Sequence, residues 1–524
     1  MAHAYEGSEP AEREIPSNPE KDAAIGLPST VTSTSATAED LATPQRGLRA
    51  IRGGALRIAG YAAGMLVSLG TAAILVRHLG ISGFGRFVTV TSVIALVGGV
   101  TEAGIALYGI REFSTRDDHD RRHLVANLLA MRLSLTAVGI ACAVAFGFAA
   151  GYGRLLILGI VVAGSALLIQ VVADVLSISL QARLELGTLA AVEFSRRTFA
   201  LILIAALALL DAGLLSFLAA VALAGAASLV PLMWRVRHYV DIRLDFDLRV
   251  WRKLISETLP FAMAVSVAAA YLYVTVVLMS LISNSIQTGL FSTSFRIIQV
   301  VLAVPSLLLT AIFPLMTRNT RRESEVSGGV TGEMVGKIFT VALICGVWMC
   351  LAVVVGADFI IKLIAGNQGR GAVSVLRLQA LVLLVSFIST SSVLGLLSLR
   401  RYRAILLAST VALGLDLLLG VLLIPSLGAR GGAVSDVITE AVLALGVTVL
   451  LAKAVPRHGL SARSVPAVAL AAGLSSLVTL APIGSLAGML GVTVVYFAVL
   501  MALHAIPDEI TRAARRYWVP RSSD

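Results

Sequence analysis

Ionisable side chains interrupt several long apolar stretches of this sequence, and they are its strongest candidates for chemistry. A charged group at the centre of a membrane-spanning helix costs roughly 2.5–3.5 kcal/mol on insertion scales. Such a residue therefore indicates either a functional site or an internal ion pair. The candidates are Arg132, Arg296, Asp416 and Glu440 near mid-membrane, and Glu102, Asp174 and Glu193 nearer one end of their helices.

Arg296 is the clearest candidate for binding an anion. It follows the polar run at 292–294 and lies too deep in its apolar stretch to reach a membrane surface easily. In a water-filled cavity its planar guanidinium would give a phosphate or diphosphate two charge-assisted hydrogen bonds. The alternatives are an internal ion pair and, for Arg132, a side chain that extends to the cytoplasmic surface. The predicted substrate-binding residues are Arg296, Arg132, Gln299, Glu102 and Asp174.

Carboxylates in the same stretches could exchange a proton or a cation across a membrane. Glu102, Asp416 and Glu440 are the predicted ion-coupling residues. Glu193 lies near a helix start, where an internal pair with another of these ionisable groups, or extension to the membrane surface, is the simpler interpretation.

The composition identifies the kind of element that must position these residues. The 524-residue chain is 57% hydrophobic and 14% charged, whereas a soluble chain would carry roughly 25% charged residues. Its apolar runs repeat at about the 20 residues that cross a bilayer. The sequence therefore predicts an all-α, polytopic helical membrane protein and excludes a soluble enzyme or a nucleic-acid-binding module. No metal or other cofactor is predicted, because Cys142, Cys345 and Cys350 lack metal-ligand spacing.

We predict about fourteen membrane-spanning helices. The first six are 55–76, 84–107, 124–149, 155–181, 189–210 and 213–234. The others are 254–281, 287–316, 334–356, 372–398, 403–424, 432–453, 464–481 and 484–504.

These helices divide into two lobes with a tail at each end. The predicted units are a disordered cytoplasmic tail 1–50, an N-terminal six-helix lobe 51–235, a cytoplasmic linker 236–253, a C-terminal six-helix lobe 254–455, two additional helices in 456–505 and a cytoplasmic tail 506–524. No loop between helices is long enough for a nucleotide-binding or catalytic domain, and no Walker-type motif occurs.

Lysine and arginine are distributed unequally between the two sets of loops. One set carries most of them, which also explains the net charge of +11. The opposite loops hold only Arg77, Arg86, Arg154, Lys362, Arg370 and Arg430. By the positive-inside rule, both termini are predicted to be cytoplasmic.

A short internal similarity links the two lobes. The second helix of the first lobe begins with Gly-Arg-Phe-Val-Thr at 85–89, and the second helix of the other lobe begins with Gly-Leu-Phe-Ser-Thr at 289–293. An even number of spans separates them, which predicts a parallel repeat about an axis along the membrane normal.

Three sequence motifs resemble the bacterial polysaccharide flippases, the oligosaccharidyl-lipid branch of the multidrug/oligosaccharidyl-lipid/polysaccharide exporter superfamily. The first is His-Leu-Gly-Ile-Ser-Gly-Phe-Gly-Arg-Phe at 78–87, which continues with Glu102, Gly104 and Arg111-Glu112. The second is Leu259-Pro260, and the third is Leu-Ile-Pro-Ser-Leu-Gly-Ala-Arg-Gly-Gly-Ala at 423–433, followed by Glu440. Together they cover residues from about 55 to 455.

This resemblance implies two six-helix lobes in a V shape, a central cavity and transport by alternating access. It implies the flipping of a polyprenyl-diphosphate-linked oligosaccharide or polysaccharide repeat unit across the bacterial cytoplasmic membrane, driven by an ion gradient or the membrane potential. Implied partners are that lipid-linked oligosaccharide, membrane lipids, glycosyltransferases and a polymerase or ligase. Helix 7 departs from the family pattern, since it has Tyr-Leu-Tyr-Val-Thr at 271–275 where many members carry an aspartate.

Three alternatives stay open from the sequence. A drug/cation antiporter of the same superfamily needs an acidic cation site, and no carboxylate lies in the first helix or beyond the first turn of the seventh. An integral-membrane glycosyltransferase or ligase needs catalytic residues on a sizeable external loop; the longest such loop is 357–371. The third alternative is a scaffold that does not transport. We therefore predict a transporter and not an enzyme.

Overall fold

The computed structural model describes residues 44–102, 104–183, 185–237, 239, 243–303, 332–399, 401–454, 464–480 and 484–505. Over these ranges the secondary structure is helical, without strands. The predicted class, a polytopic helical membrane protein, is confirmed. Most of the predicted tail 1–50 and all of the predicted tail 506–524 lie outside the described residues.

Fourteen α-helices are described. The first six are α1 (Pro44–Glu102), α2 (Ile105–Thr115), α3 (Asp118–Ala149), α4 (Arg154–Ala182), α5 (Leu186–Leu209) and α6 (Leu214–Val236). They are followed by α7 (Leu248–Ile282), α8 (Ser285–Ala303), α9 (Gly332–Ala365), α10 (Ala372–Ser398), α11 (Tyr402–Leu427), α12 (Ala429–Ala454), α13 (Ser464–Ser476) and α14 (Ser485–Ala502).

Ten helices of the described chain are long and apolar enough to cross a membrane. The difference from fourteen has local causes. The 40-residue stretch Ala63–Glu102 of α1 contains two predicted spans. Helix α5 carries Glu193, Arg196 and Arg197, which interrupt its apolar run, and the apolar parts of α7 and of the α13 region are shorter, Ser266–Ile282 and Ser464–Thr479.

A glycine bends α1 into two arms. Gly80 has φ 71° and ψ 172°, so its backbone lies outside the helical region within an otherwise helical segment. A side chain at positive φ would be strained, and glycine avoids that cost. The predicted first and second spans are therefore the two arms of one bent element. We call the end of the molecule that contains this bend the Gly80 end, and the opposite end, where α6 and α7 are connected, the linker end.

Two predicted boundaries at the linker end differ from the structure, and a third lies outside the described residues. Helix α1 begins at Pro44, inside the predicted tail. Helix α7 begins at Leu248, inside the predicted linker 236–253, because the Asp247 side chain caps it by accepting hydrogen bonds from the amides of Arg249 and Val250. The predicted helix 287–316 is described only as far as Ala303.

The helices pack into two groups. Helices α1 to α6, the N-terminal bundle, are joined mainly through α1 and α4. Helices α7 to α12 form the C-terminal bundle, in which α9 to α12 are joined mainly through α10 and α12 and α8 packs through Phe291. Helix α7 packs on both α1 and α11 and so connects the two bundles. Helices α13 and α14 pack on α9. The division of the chain into two lobes at 236–253 stays a prediction.

The two bundles share an apolar core at the Gly80 end. This core joins Leu75 and Phe84 of α1 to Ile361 of α9 and Leu376 of α10. Toward the linker end, one cluster consists of residues of α2 to α6 with Leu254 of α7, and another lies wholly within the C-terminal bundle. At the linker end, the described core contact between the bundles is therefore made by the start of α7.

Candidate functional site

The second arm of α1 and helix α8 cross at two glycines near the closed end. A Cβ atom on Gly85 would lie 2.6 Å from the Ser285 carbonyl oxygen, and a Cβ atom on Gly289 would overlap the Ile81 carbonyl group. Beside the crossing, the hydroxyl oxygens of Ser82 and Ser285 are 2.6 Å apart. Gly85 and Gly289 are the equivalent positions of the internal sequence similarity. The two similar segments therefore meet each other directly and close one end of the space between the bundles.

Arg296 of α8 lies between the bundles. Its Nη2 donates to the Ser68 hydroxyl of α1 at 2.8 Å, and its Nη1 donates to Oε1 of Gln299 at 3.3 Å. The side chain is exposed to solvent, although many protein atoms surround it. An accessible group surrounded by protein is one that lines a cavity. Over the described part of the chain, Arg296 has no carboxylate partner, so its positive charge is available to a ligand.

A second arginine, Arg197 of α5, reaches the same face of α1. Its Nη1 donates to the Gly64 carbonyl oxygen at 3.3 Å, and its Nε donates to Glu193 at 2.7 Å. Gly64 and Ser68 are one helical turn apart, a rise of about 6 Å. The guanidinium groups of Arg197 and Arg296 are near enough to repel each other. Each bundle therefore contributes one arginine, Arg197 from α5 and Arg296 from α8, to a positively charged site beside α1.

Arg197 was not selected as a site residue from the sequence, although it lies within the predicted span 189–210. The structure likewise places it well inside α5, which begins at Leu186. Glu193 and Arg197 stand four residues apart, so they lie on the same face of a helix. This spacing was the sequence signal for their ion pair. Glu193 binds both Arg196 and Arg197, at 2.8 and 2.7 Å, in the way expected for it from the sequence.

Arg132 has a different environment from Arg296. It is 2% exposed, and its Nη2 lies 3.5 Å from Oδ2 of Asp174 on α4. The other Asp174 oxygen accepts a hydrogen bond from Gln170 at 2.8 Å. Glu102 is exposed and interacts electrostatically with both Arg132 and Asp174. These three predicted residues are thus brought together, but no described contact joins them to Arg296.

The Arg132 guanidinium is incompletely bonded. Its Nε and Nη1 atoms are buried and have no hydrogen-bond partner within the described ranges. Asp174 keeps 38% of its side-chain surface exposed, so the pair lies at the edge of a solvent-accessible space. The role of these residues in binding substrate stays a prediction.

Carboxyl groups of α11 and α12 form a second site, inside the C-terminal bundle. Asp416 is 1% exposed and accepts hydrogen bonds from Thr275 at 2.8 Å and from Ser435 at 2.7 Å. Asp436 accepts from Gln379 at 3.0 Å and lies 3.0 Å from the same Thr275 hydroxyl. Asp436 was missed from the sequence, although it stands four residues before Glu440 on one face of α12.

Glu440 is the third carboxyl group of this cluster. One of its oxygens accepts from Tyr271 of α7 at 2.7 Å. The other accepts from Ser386 and Ser389 of α10, at 2.9 and 2.6 Å. Glu440 is thus satisfied by three neutral donors.

The Thr275 hydroxyl lies between two carboxyl groups, which constrains their charge. A hydroxyl group has one hydrogen, so it can make a full hydrogen bond to one of them or a weaker bond shared between both. Both contacts are full hydrogen bonds when the Asp416 or Asp436 carboxyl group carries a proton and donates it to the Thr275 oxygen. The described residues supply no arginine, lysine or histidine to these carboxyl groups. These contacts therefore favour a proton on one of the two carboxyl groups.

Comparisons with known proteins were made for sequence and for structure. The profile of a family described as polysaccharide biosynthesis protein matches residues 50–320. No curated protein matches the sequence.

Solved structures share the fold. The chain is similar to lipid II flippase MurJ in an inward closed conformation, with a TM-score of 0.68 and 10% identity over 85% of this chain and 97% of that one. It is similar to an inward-facing multidrug resistance MATE family transporter of the MOP superfamily, with a TM-score of 0.58 and 14% identity over 76% and 98% of the two chains. A MOP superfamily transporter from Pyrococcus furiosus gives a TM-score of 0.51 and 16% identity over 77% and 94%.

Proposed function

The chain belongs to the polysaccharide biosynthesis protein family, and from this premise we propose that it flips a lipid-linked glycan. The substrate is a polyprenyl-diphosphate-linked oligosaccharide or polysaccharide repeat unit, and it crosses the bacterial cytoplasmic membrane by alternating access. Glycosyltransferases supply the substrate on the cytoplasmic side, and a polymerase or ligase uses it on the other side. The lipid II flippase MurJ has the same fold, and its lipid-linked substrate supports this class of substrate.

The observation that carries the proposal is the pair of arginines on one face of α1. Arg296 is solvent-exposed without a carboxylate partner, and Arg197 approaches the same face one turn away. Two guanidinium groups at this spacing suit the two phosphoryl groups of a diphosphate, because each can donate paired, charge-assisted hydrogen bonds. The head group enters between the bundles from the predicted cytoplasmic side, while the polyprenyl chain stays in lipid.

We propose that protons drive the cycle through the carboxyl cluster of the C-terminal bundle. Asp416 and Asp436 share the Thr275 hydroxyl, an arrangement that a proton on one of the two carboxyl groups would stabilise. Release of that proton would leave two adjacent buried anions, and this repulsion favours a different arrangement of α7, α11 and α12.

The test is a strain that lacks this chain and is complemented with variants. With Arg296→Gln, we expect lipid-linked intermediates to accumulate on the cytoplasmic side, as identified by mass spectrometry. Loss of the charged fork weakens diphosphate binding about 10- to 100-fold. The matched control is Arg377→Gln, which removes an exposed arginine paired with Asp358 outside the site and should leave the intermediate at its normal level. Normal flipping by a fully expressed Arg296→Gln protein would remove Arg296 from the mechanism.

A drug/cation antiporter is the second candidate function. The acidic cluster on α11 and α12 favours it, because an antiporter needs carboxylates that bind a cation or proton, and a multidrug transporter shares the fold. Efflux of a cationic dye that is lost in the Asp436→Asn variant, together with normal levels of lipid-linked intermediates in the null strain, would support the antiporter and contradict the flippase.

A further inference from the structure

Two carboxylates and one arginine of the N-terminal bundle meet near the linker end. Nη2 of Arg132 lies 3.5 Å from Oδ2 of Asp174, and Glu102 interacts electrostatically with both residues. Glu102 is exposed, and Asp174 keeps 38% of its side-chain surface exposed, so a ligand in solvent can reach both carboxylates. We call Glu102, Arg132 and Asp174 the Glu102 site. Because one guanidinium balances one carboxylate, this site has an excess negative charge when its members are ionised.

The described charged groups around the Glu102 site cancel each other. Asp174 also interacts electrostatically with Arg196 and Glu193 of α5, but these two are paired with each other at 2.8 Å. Gln170, which donates to Asp174 at 2.8 Å, is neutral. The excess negative charge among the described residues therefore stays at the Glu102 site, whereas the arginine site beside α1 is positive.

Arg132 gives independent evidence that this site accommodates a ligand. Its side chain is 2% exposed, and its Nε and Nη1 atoms have no hydrogen-bond partner within the described ranges. A buried donor without a partner is costly, so an acceptor such as an ordered water or a ligand hydroxyl should complete these bonds. A hydroxyl group can accept from a guanidinium and donate to a carboxylate at the same time. It therefore suits a site that contains both groups.

The Glu102 site borders the space between the bundles, on the linker side of the arginine site. A Cβ atom on Gly99 would overlap the Ala269 Cβ atom of α7, and Glu102, three residues later, lies on the same side of α1. Helix α7 contacts both bundles. With a rise of about 1.5 Å per residue along the two arms of α1, Glu102 lies roughly 15 Å farther from the Gly80 bend than Ser68 does. Sugars attached to a diphosphate at the arginine site can therefore extend toward Glu102.

We propose that the Glu102 site selects the glycan by charge. It accepts uncharged sugars next to the diphosphate and disfavours sugars that carry a carboxylate. Sugar hydroxyls donate to Glu102 and Asp174, whereas a uronate places a like charge beside them in a partly desolvated space, where repulsion is strong. The opposite charges of the two sites also fix the orientation of the substrate, with its phosphates at the arginines. The inference rests on the proposed flipping of a lipid-linked glycan and names the class of that glycan.

The test is isothermal titration calorimetry of the purified full-length protein in detergent with three ligands. They are farnesyl diphosphate, farnesyl-diphosphate-linked N-acetylglucosamine and farnesyl-diphosphate-linked glucuronic acid. The variant is Glu102→Gln, which removes the excess charge and keeps a hydrogen-bonding side chain of the same size. The control is Asp358→Asn, which removes one exposed carboxylate that is paired with Arg377, outside both sites.

We expect the wild type and the control to bind the N-acetylglucosamine ligand about tenfold more tightly than the glucuronic acid ligand, because of one like charge in a partly desolvated site. Glu102→Gln should bind the glucuronic acid ligand more tightly than the wild type does, and a gain of affinity cannot come from misfolding. Equal wild-type affinity for the two sugars, an unchanged preference in Glu102→Gln, or an equal gain in the control would overturn the inference without affecting the proposed flippase. Failure of all three ligands to bind would instead contradict the flippase, and the inference with it.

Discussion

The two bundles stabilise buried charge in different ways. In the N-terminal bundle, carboxylates pair with arginines: Asp174 with Arg132, and Glu193 with Arg196 and Arg197. In the C-terminal bundle, the described partners of the three carboxyl groups are hydroxyl and amide groups.

This difference separates two tasks. An ion pair keeps its charge fixed, so the N-terminal bundle can present a constant positive surface to an anionic substrate. A carboxyl group bonded to neutral donors can change its charge by gaining or losing a proton. The same chemical change, a carboxylate replaced by an amide, should therefore have opposite consequences in the two bundles.

The most disruptive test separates the bundles at the point where they meet. Gly289→Ala places a methyl group against the Ile81 carbonyl, and overpacking against backbone costs about 3 kcal/mol. We expect the Gly80 end to open. The measurement is disulfide formation between Ser82→Cys and Ser285→Cys, whose hydroxyl oxygens are 2.6 Å apart, in a protein without its native cysteines. Gly414→Ala is the control, because a Cβ atom there meets nothing within 4 Å. Equal disulfide yields in the two variants would show that the glycine crossing does not hold this end closed.

Asp174→Asn tests the ion-paired bundle. It leaves the buried Arg132 guanidinium without its carboxylate, and a pair that is partly exposed on one side should lose about 2 kcal/mol of stability. Thermal unfolding in detergent measures this loss. Combining Asp174→Asn with Arg132→Met should restore part of it, because the stranded charge is then gone. An Asp174→Asn protein as stable as the wild type would contradict the importance of this pair.

Asp436→Asn should have the smallest effect on stability, and it should distinguish most clearly between the carboxyl groups of the two bundles. It removes a negative charge that no described cation balances and keeps a polar group beside Gln379 and Thr275, so the change in stability should be less than about 1 kcal/mol. Transport, in contrast, should lose its dependence on the proton gradient. The measurement compares flipping in vesicles with and without a protonophore. A large loss of stability, or flipping that still stops when the gradient is collapsed, would contradict the assignment of proton coupling to this cluster.

The sequence was sufficient for the helices but only partly so for the site. Apolar runs predicted the class of fold, because a bilayer imposes a length on every helix that crosses it. The depth of Arg296 in its helix identified it without a structure. Arg197 was missed, since loop-charge counting assigns any basic residue near a helix end to the loop. Asp436 was missed because the importance of a carboxyl group here depends on a shared hydroxyl, Thr275, from a helix distant in sequence.

The glycine crossing has a consequence for the origin of the chain. Two segments related by a two-fold rotation can touch at equivalent residues only where the rotation axis passes between them. Gly85 and Gly289 touch in this way, and each is followed by a threonine that bonds back to its carbonyl, Thr89 at 2.9 Å and Thr293 at 2.8 Å. The contact is therefore the one that the predicted parallel repeat would place on its axis, with the form of an interface between two copies of one ancestral bundle.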